Sequence, residues 1–407
     1  MLIDKLESER NELGEKIRKL NSPMKSKILI VGSGITGSTF ANLLACQGNK
    51  VTVIERRNHI AGNIYTKEID GIQVHQYGAH IFHTSNKKVW NYVQRFAEFD
   101  RYINSPKASY HGKMYSLPFN MNTFNELWGV TTPKEALNEI NRQRQEMNGK
   151  SPNNLEEQAI SLVGRDIYEK LIKGYTEKQW GRSCKELPPF IIKRIPVRLT
   201  YNNDYFNDQY EGIPISGYTK MIKKMLAHPN ITVKLNTDFF DKKSTYLSNY
   251  AKIIYTGEID KFFDYKFGQL EYRSLRFKTR EKNIENYQGN AVINYTDAET
   301  PYTRVIEHKH FNFRSRNSNK TIITWEYPIN WHTGEIPYYP INNETNNDLY
   351  QKYAALANKQ DQVIFAGRLG TYRYLNMDQA INQAISACKN NGGKIKNENC
   401  KYGIGSN

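Results

Sequence analysis

Residues 27–55 read KILIVGSGITGSTFANLLACQGNKVTVIE, and the order of features in this stretch sets the fold class. Ile28 to Val31 is a β-branched and aliphatic run suited to a strand buried on both faces. Gly32, Gly34 and Gly37 follow with G-x-G-x-x-G spacing. The first permits a tight turn, the second admits a pyrophosphate to the backbone, and the third lets helix and strand pack closely. Ser38 to Gln47 is mostly small and aliphatic and predicts a helix. Its N-terminus aims free N–H groups and a positive dipole end at phosphate. A second strand, Val51 to Ile54, ends at Glu55, 18 residues after Gly37. An acid at about that interval binds a ribose hydroxyl pair, and it repels the 2′-phosphate of NADP. These residues leave FAD and NAD both open.

At 407 residues the chain is long enough for two or three domains. With 24% charged and 39% hydrophobic residues its composition is that of a globular chain, not a disordered one. No apolar run reaches the ~20 residues that span a bilayer, and no signal peptide precedes the first strand. The expectation is a cytoplasmic protein without membrane insertion. Cys46, Cys184, Cys388 and Cys400 are scattered without C-x-x-C spacing and are read as reduced. The net charge of +16 suits anionic partners: nucleic acid, an acidic membrane surface or a phosphorylated small molecule. Lysine and arginine form no long basic block and no RNA-binding aromatic signature, so nucleic acid is disfavoured.

Residues 1–23 read as an extension before the natural start MKSKILIV, with a short amphipathic interaction helix as the other reading. Beyond Glu55, Gly62 and Asn63 suggest a second close backbone approach, and Thr84 with Asn86 a helix cap. His80 and His83 have no acid or cysteine at ligand spacing, so they are read as cofactor or substrate contacts; no metal is expected. Tyr110 to Tyr115 reads as a hairpin, a run of helices follows to about Trp180, and 269–330 alternates with period two as an antiparallel sheet does. The expected fold is α/β. A Rossmann-like dinucleotide-binding domain (24–102, 222–262 and 344–395) carries an inserted helical bundle (119–190) and an antiparallel β-sheet substrate domain (103–118, 191–221 and 263–343).

Four clusters carry the chemistry: GYTEKQWG (174–181), IIKRIPVR (191–198), PYTRVIEHKHF (301–311) and GRLGTYRYLNMD (367–378). They hold arginines, tyrosines and a tryptophan, with no nucleophile–base pair or acid pair placed for hydrolysis. Arginine forks suit a diphosphate, and Tyr and Trp can frame a base and a sugar. With RIPVRLTYNNDYFND and PYYPI, these motifs make the chain from about Met24 to Lys389 resemble the prokaryotic UDP-galactopyranose mutases.

The resemblance implies FAD, active when reduced by an external donor. The flavin acts as a covalent catalyst whose N5 forms a sugar adduct during interconversion of pyranose and furanose forms of a nucleotide-diphosphate sugar, for cell-surface polysaccharide synthesis. It also implies a homodimer. Arg194 and Arg304 then clamp the diphosphate, with contacts from Tyr205, Tyr338 or Tyr339, and Tyr374. Tyr175 lies beneath the base, Thr176 and Trp180 are pocket walls, Asn104 and Asn294 are polar contacts, and His83 sits beside flavin and sugar. Gly32, Gly34, Gly37, Glu55, Arg56, Asn63, His80, Ile81, Gly367, Arg368, Tyr374 and Met377 hold the cofactor. Leu171 and Ile172 replace two phenylalanines usual in that family, Asn376 replaces an aspartate, and Ala79 a proline. These departures leave open another donor, such as UDP-N-acetylgalactosamine, dTDP-fucose or a GDP-heptose. A flavin amine oxidase or dehydrogenase is the rival of another class.

Overall fold

The computed structural model describes residues 26–192, 196–313 and 319–390; the extension 1–23, Arg194 and Cys400 lie outside them. A five-stranded sheet has the order Ile231–Lys234, Lys50–Ile54, Lys27–Val31, Lys252–Tyr255, Val363–Phe365, and every pairing is parallel. Its strands are short apolar runs because helices cover both faces. Leu29, Ile30, Val53 and Ile253 are fully buried. The helix Ile35–Cys46 starts three residues earlier than the sequence suggested, since Ile35 and Thr36 already turn after Gly34. It packs between the helices Tyr218–Leu226 and Met377–Asn390. Asn42 ties this layer together, donating to the Met225 carbonyl at 3.0 Å and accepting from the Tyr92 hydroxyl at 3.1 Å.

The second sheet has seven strands, in the order Tyr339–Pro340, Tyr272–Lys282, Thr321–Asn330, Arg304–Glu307, Val292–Tyr295, Lys107–Tyr110, Lys113–Ser116. It is antiparallel except where Val292–Tyr295 runs parallel to Lys107–Tyr110. That junction absorbs the predicted hairpin, whose turn at His111 and Gly112 has φ of 48° and 80°. Several short elements were not legible, two strands among them. The strand Thr66–Ile69, partner of Ile72–His75, is short and polar. The strand Tyr210–Pro214, inside a tyrosine- and asparagine-rich stretch, pairs with Phe82–Thr84 and Phe99–Asp100.

The helical module contains Met121–Trp128, Pro133–Arg144 and Leu155–Val163, with capping boxes at Asn120/Thr123 and Thr132/Glu135. Its last stretch, read from sequence as one helix, is a π-helical segment, Tyr168–Lys173, that runs into the α-helix Gly174–Trp180. π-turns of this kind insert where a helix must re-aim side chains. Cys184 and Cys388 are free and buried, whereas Cys46 is disulfide-bonded, so the reading of four reduced cysteines does not hold for Cys46.

Candidate active site

The parallel sheet ends in a cleft of about 240 Å³ built around the glycine turn. Gly32 has φ 101°, and a Cβ there would lie 2.3 Å from Thr256 Oγ1. A Cβ on Gly37 would fall 1.9 Å from the Gly32 carbonyl oxygen, and one on Gly62 2.9 Å from the Gly34 Cα. Only glycine fits these approaches. Glu55 is buried at the end of its strand; it accepts from Ser33 N at 3.0 Å, Ser33 Oγ at 2.8 Å and Arg57 N at 3.0 Å. The cleft brings together Gly32, Gly34, Gly37, Glu55, Arg56, Asn63, His80, Gly367, Arg368 and Met377. It also takes in Asn376, expected on the substrate side, and Arg57, whose Nη1 is buried without a hydrogen-bond partner. The cleft does not include Ile81 or Tyr374. Ile81 packs on the hydrophobic core, because it alternates with His80 across the short turn.

His80 is held neutral. Burial pushes its pKa down to about 4, against the hydrogen bond from Nδ1 to the Gly78 carbonyl, with the charges of Arg368 and Arg304 adding to the depression. Behind it lie two histidines that sequence reasoning missed. His80 N donates to His75 Nδ1 at 3.1 Å, His75 N donates to His308 Nδ1 at 3.3 Å, and His308 Nε2 meets Thr324 Oγ1 at 2.8 Å. This chain hangs the loop bearing His80 from the seven-stranded sheet.

That sheet carries the charged centre. Arg304 and Glu326 are cross-strand partners, and Arg304 Nε lies 3.2 Å from Glu326 Oε1. Arg304 Nη2 donates to the Tyr175 hydroxyl at 2.6 Å. Burial works against the Arg304 charge, yet the Glu326 carboxylate and the Tyr175 hydroxyl hold its pKa well above the ordinary arginine value. Glu326 was not singled out from sequence. The signal was present: in TIITWEY it falls in phase with buried Ile322 and Thr324, an acid on the inward face of a strand.

Around this pair stand tyrosines. Tyr339 and Tyr374 stack at 5.9 Å and 22°, with the Arg368 guanidinium 4.5 Å over the Tyr374 ring. Tyr338 turns away to pack edge-on against Phe277, so of the two candidates Tyr339 is the one beside Tyr374. Burial pushes the Tyr205 hydroxyl up to about 12, with the Arg304 charge working against it. Asn104 and Asn294 each leave a buried Oδ1 without a donor, the acceptor pattern that a ligand hydroxyl or N–H satisfies. Asn294 faces Arg304 across the strands, and Asn104 accepts at its carbonyl from Tyr205 N at 2.8 Å.

His83 stacks on Phe206 at 3.7 Å and 9°, and its Nδ1 meets Asp208 Oδ2 at 2.6 Å. Ser85 Oγ donates to the other carboxylate oxygen at 2.7 Å. Trp180 and Tyr374 line a second cavity of about 550 Å³ with Phe190, Tyr350 and Tyr372. Thr176, Leu171 and Ile172 are buried, the last two in the core of the helical module.

Comparison with known proteins now places this arrangement. Residues 170–374 match the family model described as UDP-galactopyranose mutase, and residues 30–96 match an NAD(P)-binding Rossmann-like domain. A probable UDP-galactopyranose mutase of Klebsiella pneumoniae is 41% identical over 360 residues, covering 88% of this chain and 92% of that protein. The chain belongs to the UDP-galactopyranose mutase family.

Members of this family are isomerases, and the family fold extends over most of the chain. The crystal structure of a reduced UDP-galactopyranose mutase superposes with a TM-score of 0.70 at 15% identity, covering 93% of this chain and 96% of that one. A dTDP-fucopyranose mutase of Escherichia coli is 39% identical over 370 residues, covering 89% of this chain and 98% of that protein. Two relatives named for different bases and sugars thus stand at nearly equal distance from this UDP-galactopyranose mutase family member. Among the described residues no group of His, Cys, Asp and Glu is arranged to hold a metal, and no helix is long and apolar enough to cross a membrane.

Proposed function

We propose that the protein is a FAD-dependent mutase that interconverts UDP-galactopyranose and UDP-galactofuranose as a homodimer, after reduction by an external donor. The observation that carries this reading is the charged centre next to the nucleotide cleft: Arg304 paired with Glu326 and bonded to Tyr175, with Arg368, Tyr339 and Tyr374 alongside. Gly32, Gly34, Gly37, Glu55, Gly367 and Arg368 would hold FAD, whose reduced form supplies a nucleophilic nitrogen for the anomeric carbon. The chain's own part is binding and charge placement. Arg304 and Arg194 hold the diphosphate as it leaves and returns, and a guanidinium fixed in advance stabilises that charge with no reorganisation. Tyr175 supports the base, and the Asn104 and Asn294 amide oxygens accept from ligand donors. His83, fixed by Asp208, borders the sugar.

The test is to incubate dithionite-reduced protein with UDP-, dTDP- and GDP-pyranoses and to identify product rings by NMR. Conversion of UDP-galactopyranose without net redox change supports the reading. Stoichiometric oxygen consumption instead indicates an oxidase. A dTDP-6-deoxyhexose is the second reading. It is favoured by the E. coli relative named as a dTDP-fucopyranose mutase. The same panel separates the two.

A further inference from the structure

The segment Gly174–Gly181 gives Tyr175, Thr176 and Trp180 to the proposed site, and its remaining residues are spent on attachment to the seven-stranded sheet. A Cβ on Gly174 would come 2.4 Å from the Thr296 carbonyl oxygen. One turn on, Lys178 Nζ donates to the carbonyls of Tyr295 at 2.9 Å, Thr300 at 2.9 Å and Tyr302 at 3.2 Å. An ammonium has three N–H donors, and here one loop takes all three. At the helix end the buried Arg273 donates from Nε to the Gln179 carbonyl at 2.9 Å and from Nη2 to the Lys178 carbonyl at 3.2 Å. These are carbonyls that a helix terminus leaves free, met by a cation at the negative dipole end. Gly181, at φ 65°, makes room: a Cβ there would lie 2.7 Å from Arg273 Nη1. A surface lysine leaves its charge in water, whereas Lys178 spends it on a backbone loop. The last of its three acceptors, Tyr302, is two residues from Arg304.

We propose that Lys178 is a positioning residue for the reaction. It fixes the helix bearing Tyr175 and Trp180 to the loop leading into Arg304, so that the aromatic wall and the diphosphate-binding guanidinium keep one spacing. The 2.6 Å bond between Arg304 and Tyr175 is the contact this spacing sets. The proposal rests on the reading of these two residues as nucleotide contacts. Burial also pushes the Lys178 pKa down to about 8, against the pull of Asp297 and Glu299 on the same loop. The other charged or titratable groups around it are Glu177 on its helix, Tyr295 and Tyr302 on the loop, and Arg273 on the sheet. Above that pH the neutral amine keeps two N–H donors for three carbonyls, and the clamp loosens.

The experiment compares flavin-loaded wild type with Lys178→Met by UDP titration through tryptophan fluorescence at pH 7 and 8.8, and by amide hydrogen exchange over 296–302. Losing a hydrogen bond to a charged group is worth about tenfold, so UDP binding should weaken ~10-fold in the variant while the flavin spectrum is kept. As the pH rises, wild type should weaken more than the variant does. A folded, flavin-loaded variant that binds UDP within about twofold of wild type overturns the proposal. If Lys178→Met does not fold, Lys178→Gln, which keeps two N–H donors, takes its place under the same criteria. If wild type binds no UDP, the functional reading fails, and exchange over 296–302 still decides the clamp. Faster exchange in the variant supports it and unchanged exchange refutes it.

Discussion

Replacing Glu326 with glutamine tests whether the charged centre is built to receive an anion. The substitution keeps shape and removes one charge from a pair whose side chains are 2% exposed for Glu326 and 24% for Arg304. Breaking a buried ion pair by removing one partner costs ~3–5 kcal/mol. Arg304 keeps some contact with solvent, so the low end applies, about 3 kcal/mol, or a melting temperature lower by roughly 3–4 °C for a chain of this size. The distinctive expectation concerns ligand. A bound diphosphate supplies the negative charge that the variant lacks, so saturating UDP should recover at least half of the deficit. By linkage, about 1.5 kcal/mol recovered is roughly tenfold tighter UDP binding by the variant. Differential scanning fluorimetry with and without UDP, together with titration calorimetry, reads both quantities. An unchanged melting temperature, or a deficit of equal size with and without UDP, would refute the assignment of Arg304 as the diphosphate ligand held by Glu326.

Three further outcomes are expected. Arg304→Ala should lower kcat by ~100- to 1,000-fold, the cost of one preorganised electrostatic group, while the flavin absorbance of the purified protein is retained; unchanged kcat removes the residue from the mechanism. Gly37→Ala forces a Cβ to 1.9 Å from the Gly32 carbonyl oxygen and should cost ~3 kcal/mol or more and most of the bound flavin, read by denaturant unfolding and by the yellow colour surviving gel filtration. Burial pushes the pKa of His308 down to about 3 and of His80 down to about 4, both below the ordinary 6.5. The unfolded chain therefore binds more protons than the folded one across this window, and the stability these groups contribute, complete above pH 6.5, is lost as pH falls toward 4. His308→Gln should flatten the slope of unfolding free energy against pH there by about one proton, and an unaltered slope argues against a neutral buried His308.

What was legible in the sequence follows the range of the interaction concerned. The glycine turn, Glu55 and the parallel strands were readable because strand, turn, helix and acid are set by neighbours within about 30 residues. The strand Tyr210–Pro214 was not, because its polar sequence carries no period of its own and its pairing with Phe82–Thr84 is decided by partners over 120 residues away. The site divides in the same manner. Arg304, Tyr175 and Tyr374 stand out within recognisable motifs, whereas Glu326 and His75 lie outside them, and Asp208 and His308, though inside two of them, act through contacts that topology creates. Each of these four is a partner of a residue that was singled out: Glu326 of Arg304, Asp208 of His83, and the two histidines of the loop bearing His80.

Asn376 shows how far such partner logic reaches. It stands immediately before the helix Met377–Asn390, where its carbonyl accepts from Ala380 N at 3.0 Å and its N donates to Gln379 Oε1 at 3.0 Å. Asparagine and aspartate are about equally good at the start of a helix, so the fold does not choose between them there. What differs is charge in the cleft shared with Arg368. An aspartate beside that guanidinium competes with a bound diphosphate for it, and an asparagine does not. The substitution therefore acts on ligand more than on stability. Asn376→Asp should leave the melting temperature within about 1 °C, because surface-type changes without a packing role stay near ±0.5 kcal/mol. It should weaken the binding of UDP- and dTDP-sugars alike, because the diphosphate is common to both, and unchanged affinity in titration calorimetry would refute the competition for Arg368.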